Sequence, residues 1–151
     1  MVKEINTGRI EEAVKKLCIE ANKVLPEDLC HRLYACEKCE SNPLAKDILS
    51  DLKENINAAK ELNIPVCQDT GMAVVFLEIG QDVHITDGDF NEAVNEGVRK
   101  AYFDGKLRCS IVSDPLKRVN TGDNTPALIH ISIVPGDKIK LTAAPKGFGS
   151  E

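Results

Sequence analysis

From Arg9 to Val24 the apolar residues Ile10, Val14, Leu17, Ala21 and Val24 recur at three- and four-residue steps, a stripe that predicts an amphipathic helix. Leu25-Pro26-Glu27-Asp28 then opens a second helix. Proline suits a first helical position, and the two acids complement the positive end of the helix dipole. This helix is predicted to run to about Glu40, where Ser41-Asn42-Pro43 breaks it. Leu44, Ile48, Leu52, Ile56, Ala59 and Leu62 mark a third, longer helix that stops near Asn63 and Pro65.

After Pro65 the periodicity changes. Met72 to Ile79 is a short apolar run closed by Gly80, the pattern of a buried strand. A turn-rich stretch follows, and Thr86-Asp87-Gly88-Asp89 supplies capping side chains for a fourth helix that carries Phe90, Ala93, Val94, Gly97, Val98 and Ala101 and ends near Gly105. Ala127 to Val134 and Lys138 to Ala143 flank Pro135-Gly136-Asp137 and read as a hairpin. No internal repeat or low-complexity linker interrupts the chain. The expected fold is mixed α/β in a single domain, 1–151. Its helical part, about 1–63, packs on a small mixed sheet with a carboxy-terminal hairpin in an α/β part, about 64–151. Periodicity does not fix the strand order.

Composition narrows the class. A chain of 151 residues buries roughly two thirds of the surface its unfolded form exposes. With 42% hydrophobic and 28% charged residues it is ordinary for a globular protein. The net charge of -5, from 24 acidic and 19 basic residues with no Lys/Arg block, argues against a nucleic-acid surface, so an anionic ligand must be met by locally placed cations. The start lacks an apolar signal core, and the longest apolar run, Met72 to Leu77, is far too short for a bilayer. No membrane partner is expected, and the chain reads as cytoplasmic. The six cysteines (Cys18, Cys30, Cys36, Cys39, Cys67 and Cys109) are then free thiols or metal ligands rather than disulfides.

Polar chemistry collects in three places. Ile64-Pro65-Val66-Cys67-Gln68-Asp69-Thr70-Gly71 sets a thiol, an amide, a carboxylate and a hydroxyl just before the buried strand. It reads either as a capped turn with Cys67 filling an apolar hole or as an exposed ligand loop. Leu107-Arg108-Cys109-Ser110 and the stretch from Lys117 to Pro126 form a second polar region, where Arg108 or Arg118 could clamp a carboxylate through two parallel N–H donors. Lys146-Gly147-Phe148-Gly149-Ser150 resembles an anion-cradling loop, although it is not a Walker A sequence. The chain stops inside that run, which reads as the edge of a fragment.

Cys36 and Cys39 have the two-residue gap of a metal knuckle, with Cys30 and His31 upstream. Cys30, however, falls about 180° from Cys39 around the helix, so three-thiolate ligation would unwind it. Asp87-Gly88-Asp89-Phe90-Asn91 imitates a calcium loop but places Glu92 where glycine is needed and Val98 where a bidentate Glu is needed, so the acids are expected to cap the helix. His84 and His130 lack partners at ligand spacing and are assigned to packing.

Taken in order, Pro65-Val66-Cys67-Gln68-Asp69-Thr70-Gly71, Leu107-Arg108 with Ser110, Val119-Asn120-Thr121-Gly122 with Asn124 and Pro126, and Lys146-Gly147 with Gly149-Ser150 resemble class I fumarases and the related L-tartrate dehydratase alpha subunits. The likeness is strongest from Ile64 to Ser150 and only general in the amino-terminal helices. It implies a hydro-lyase with a 4Fe-4S cluster held by three cysteines, which interconverts fumarate and L-malate or, as the alternative, dehydrates L-tartrate. On this resemblance Cys67 is one cluster ligand, Gln68, Asp69, Arg108 and Gly149 contact the substrate, and Asp69 takes part in catalysis. The other two thiolates and the remaining acid–base groups are expected in a missing carboxy-terminal domain or beta subunit, within a homo- or hetero-oligomer, and this chain alone is expected to be inactive. A reading from another class makes the chain a non-catalytic metal-binding or scaffold module built on Cys30, Cys36 and Cys39.

Overall fold

The computed structural model describes residues 2–148. They divide into two compact units, one of residues 22–68 and one that combines the chain up to residue 21 with the chain from residue 69. In order the elements are β1 (Lys3–Asn6), α1 (Thr7–Lys23), α2 (Glu27–Cys39), α3 (Pro43–Leu62), β2 (Met72–Gly80), β3 (Val83–Thr86), α4 (Phe90–Asp104), β4 (Leu128–Val134) and β5 (Ile139–Lys146). No helix among the described residues is long and apolar enough to cross a membrane.

The unit of residues 22–68 is built on α2 and α3. Asn42 starts α3 by accepting hydrogen bonds on Oδ1 from the backbone N–H groups of Leu44 (3.0 Å) and Ala45 (3.3 Å), with Pro43 in the first turn where no N–H is needed. Asn63, in the left-handed region at φ 54°, ends it. Lys53 joins the helices, its Nζ 3.3 Å from Glu37 and 5.4 Å from the centre of the Tyr34 ring. The predicted helices are present, but the apolar stripe of α3 is only partly used: Ala59 is buried, whereas Leu44, Ile48 and Leu52 remain exposed.

In the other unit β2 is the central strand, parallel to β4 on one side and antiparallel to β5 on the other. Ala73, Val75, Leu77 and Ile79 alternate onto one face of β2 and meet Ile10, Val14 and Cys18 of α1 and Val94, Val98, Ala101 and Tyr102 of α4. The two helices approach closely at Gly97, where a Cβ would lie 2.6 Å from the Glu11 carbonyl oxygen and 2.9 Å from Val14 Cβ. Burial of Cys18 in this core pushes its thiol up to about 12.

The expected hairpin is present in outline, since β4 and β5 run antiparallel and are joined by the Pro135-Gly136-Asp137 turn, but β2 lies between them. The most apolar strand takes the position with neighbours on both sides, and the turn wraps its end through hydrogen bonds from Gly80 N–H to the Lys138 carbonyl (2.8 Å), from Gln81 N–H to Val134 (2.8 Å) and from Asp82 N–H to Gly136 (2.9 Å). A second, two-stranded parallel sheet of β1 and β3 was not predicted. Each strand has four residues, too few for an alternating pattern to stand out.

Candidate functional site

The sequence-predicted residues Asp69 and Arg108, with the loop after β5, are brought together in the unit that carries β2. Asp69 precedes β2 and clasps two segments. Its Oδ1 accepts the Gly71 backbone N–H at 3.0 Å, and its Oδ2 accepts the Phe148 backbone N–H at 2.9 Å. The second bond ties the chain after β5 to the start of β2. Gly147 fits here because a Cβ would come within 3.2 Å of Asp69 Oδ2. Lys146 Nζ lies 5.2 Å from the centre of the Phe148 ring and donates to the Gly147 carbonyl at 3.0 Å. Gly149, also expected to contact the substrate, lies outside the described residues.

Arg108 is joined to the Asp69 segment through Thr70. The buried Thr70 hydroxyl accepts the Arg108 backbone N–H at 2.9 Å and donates to the Arg108 carbonyl at 3.0 Å. Held at both backbone groups, Arg108 starts from a fixed point while its side chain extends from an exposed residue. The arrangement offers a guanidinium suited to a carboxylate and, one residue from the clamping threonine, an acceptor carboxylate with oriented backbone donors.

Cys67 and Gln68 belong to the unit of residues 22–68, where both are exposed. Their segment is fixed by the Val66 N–H donating to the Asn22 carbonyl (3.0 Å) and by Asn55 Nδ2 donating to the Val66 carbonyl (2.8 Å). Cys67 is therefore an accessible thiol, which answers the filler-or-exposed question raised by the sequence. It does not complete a ligand set: among the described residues no group of three His, Cys, Asp or Glu side chains could hold a metal ion. This chain alone does not fit a 4Fe-4S cluster, which needs three thiolates. Among the described residues Cys30, Cys36 and Cys39 form no such group either. These cysteines sit on the continuous helix α2, whose turn spreads them around its axis.

The other motifs have structural partners. Asp89 caps α4, its Oδ1 accepting the Glu92 N–H at 2.8 Å, so the pseudo-calcium sequence is a helix start. His130 stacks on Phe76 across neighbouring strands, with ring centres 4.9 Å apart and planes 11° from parallel. Sequence reasoning missed an ion cluster around Arg99, which donates from Nε to Asp123 Oδ2 at 3.0 Å and also pairs with Glu96. Burial disfavours the charge on Asp123, yet the Thr125 N–H and hydroxyl and the Arg99 guanidinium together hold its carboxyl at about 2. The cluster borders a cleft of about 540 Å³ lined by Phe103, Leu107 and Cys109 among others. Burial and the nearby Asp123 charge push the Cys109 thiol up. Asp69 and Arg108 do not line this cleft.

The fold and site define a mixed α/β unit that presents an acid, a clamped arginine and a glycine-bearing loop at one end of a three-stranded sheet. The family model described as Fumarate hydratase (Fumerase) matches residues 11–151, and the chain belongs to that family. A Methanocaldococcus jannaschii protein whose description names the L(+)-tartrate dehydratase subunit alpha is 37% identical over 149 residues, which cover 95% of this chain and 52% of that protein. The anaerobic class I fumarate hydratase of Escherichia coli K12 is 40% identical over 104 residues, 68% of this chain and 19% of the enzyme. The L(+)-tartrate dehydratase subunit alpha of Escherichia coli O157:H7 is 27% identical over 151 residues, 97% of this chain and 49% of the subunit. The chain thus spans about half the length of the tartrate dehydratase subunits it matches and about a fifth of the fumarate hydratase. Its kinship is with hydro-lyases.

Proposed function

We propose that this chain supplies part of the active site of a cytoplasmic hydro-lyase that interconverts fumarate and L-malate. The observation that carries this reading is the linkage of Asp69 to Arg108 through Thr70, in a chain of the fumarate hydratase family. A four-carbon dicarboxylate needs a cation for at least one carboxylate, and the Arg108 guanidinium offers two parallel N–H donors for it. When a proton leaves carbon beside a carboxylate, negative charge accumulates on that carboxylate, and a guanidinium already in place stabilises it without reorganisation. Asp69 and Gln68 contact the substrate in this reading, with Asp69 as the catalytic carboxylate of the segment, and the Gly149 backbone completes the cradle.

Cys67 is assigned as one thiolate of the 4Fe-4S cluster, whose open iron would act as a Lewis acid. The other two thiolates and the remaining acid–base groups come from a carboxy-terminal domain or beta subunit. The isolated chain is inactive on this account. L-tartrate dehydration is the second reading, favoured by the 95% coverage of this chain in its match to the alpha subunit from Methanocaldococcus jannaschii.

The test is anaerobic assembly of this chain with the remaining polypeptide, followed by assays on fumarate, L-malate and L-tartrate and measurement of cluster absorption in native and Cys67→Ser proteins. Turnover of fumarate with loss of cluster and activity in Cys67→Ser is expected. An intact cluster in Cys67→Ser overturns the ligand assignment, and turnover of tartrate alone selects the second reading.

A further inference from the structure

Three side chains that carry polar atoms, Thr70, Tyr102 and Asn124, are almost wholly buried, at 2%, 2% and 0% exposure. Thr70 and Asn124 bridge residues 70–71 to residues 108–111, and Tyr102 holds the first of these segments. The Tyr102 hydroxyl, projecting from α4, lies 2.9 Å from the Thr70 carbonyl and 3.1 Å from that of Gly71, so its proton is shared between them. Asn124 donates from Nδ2 to the Gly71 carbonyl at 3.1 Å, and its Oδ1 accepts the N–H groups of Ser110 (2.7 Å) and Ile111 (3.2 Å). Thr70 closes the circuit on both backbone groups of Arg108. Among the described residues no buried side-chain nitrogen or oxygen is left without a partner.

The partners are backbone groups, so apolar side chains of similar volume would fill the space but leave the Thr70 and Gly71 carbonyls and the N–H groups of Arg108, Ser110 and Ile111 unsatisfied. What a satisfied buried network adds is a single geometry. Here that geometry joins residues 69–71 to residues 108–111, the segments that carry Asp69 and Arg108. Asn124 also holds a left-handed backbone, φ 61°, which asparagine tolerates better than most residues, so its side chain can reach both segments from one point.

We propose that Tyr102 and Asn124 are positioning residues: through Thr70 and Gly71 they set the separation between the Asp69 carboxylate and the root of the Arg108 side chain, and so the fit of a dicarboxylate. The inference rests on the functional reading above for the ligand. Neither residue touches the substrate. Loss of one hydrogen bond in the network loosens the clamp, and a displacement of a fraction of an ångström is enough to weaken a two-point contact.

The test uses the complete enzyme, assembled anaerobically, with Tyr102→Phe, Asn124→Ser and, as a control for general destabilisation, Val98→Ala from the buried face of the same helix. Each protein is measured for thermal stability, for binding of succinate by calorimetry and for KM and kcat. Tyr102→Phe keeps the ring and removes only the hydroxyl, and it is expected to weaken succinate binding about fivefold and raise KM equally, the effect of one hydrogen bond. Its kcat is expected to change less than twofold, and Asn124→Ser to shift binding in the same direction. Val98→Ala is expected to lower the melting temperature at least as much while binding succinate within twofold of wild type. Binding by Tyr102→Phe within twofold of wild type, or equal weakening in Val98→Ala, overturns the positioning role. Succinate binding without turnover in the wild type defeats the reaction assigned above but leaves the positioning inference to be decided by the variants. A wild type that does not bind succinate overturns both.

Discussion

Gly71 is where the fold and the proposed site place their heaviest demand on one residue, and Gly71→Ala measures it. The residue has φ +59°, a left-handed conformation that costs an alanine about 1–2 kcal/mol. A Cβ there would also lie 2.0 Å from the Lys146 carbonyl oxygen, 2.2 Å from its carbon and 2.6 Å from the Gly147 nitrogen. These are backbone atoms that cannot swing aside, so β5 must move away from β2 where Met72 pairs with Lys146 and Ala73 with Pro145. The shift strains the hydrogen bonds that Tyr102 and Asn124 make to the Gly71 carbonyl, each worth about 1 kcal/mol. The combined loss is about 3–4 kcal/mol, a large part of the 5–15 kcal/mol typical of a whole domain. Gly122→Ala is the matched control: its φ is +82°, but nothing lies within 4 Å of the added Cβ, so only the conformational cost of about 1–2 kcal/mol applies. Urea unfolding followed by circular dichroism compares them. With a slope of about 1–3 kcal/mol per molar, Gly71→Ala should unfold at a midpoint about 1 M or more below that of Gly122→Ala. Equal midpoints would refute the claim that backbone contact, rather than φ alone, demands glycine at position 71.

Three further outcomes are expected. In native protein an alkylating reagent should modify Cys36, Cys39 and Cys67, all exposed, well before Cys18, whose buried thiol is pushed up to about 12; mass spectrometry of timed samples checks the order, and early labelling of Cys18 contradicts the core assignment. Because the folded carboxyl of Asp123 is held at about 2, below its ordinary 3.8, its contribution to stability is present above about pH 4 and is lost as the pH falls toward 2. The difference in urea midpoint between wild type and Asp123→Asn should therefore be larger at pH 7 than at pH 2.5, and a constant difference would rule this out. Asp69→Asn leaves one acceptor oxygen for two backbone donors, so the local Gly71 bond should persist while the Phe148 amide loses protection in hydrogen exchange, at a cost of about 1 kcal/mol; an unchanged Phe148 amide would count against the clasp.

The helices were legible because a 3.6-residue period repeated over 13 to 20 residues is hard to mistake, and because Asn42 and Asp89 cap helices with local side-chain chemistry. The position of β2 between β4 and β5 was not legible. A two-residue period says which face of a strand is buried and nothing about which strand lies beside it, so a turn between two strands reads as a direct hairpin even when a third strand separates them. The exposed apolar stripe of Leu44, Ile48 and Leu52 shows the same limit, since the period predicts a helix whether or not a neighbour covers it.

The candidate site was legible only as an ordered set of motifs, and the hydrogen bonds explain why. Asp69-Thr70-Gly71, read alone, is a polar turn, and Asn120 to Pro126 is another, because local pattern records only the bonds a residue makes to its own neighbours. Asp69 does make one such bond, to Gly71, but its other carboxylate oxygen is engaged 79 residues away, at Phe148. Thr70 works across 38 residues to Arg108, and Asn124 across 53 to Gly71. Half of what each motif does is therefore absent from its own sequence window, and the bland reading of each segment is correct for the half that is present. Linking these segments requires a folded chain, or a family whose members keep the same motifs in the same order. The folded chain supplies that link through Thr70, which ties the segment of Asp69 to Arg108 by two hydrogen bonds.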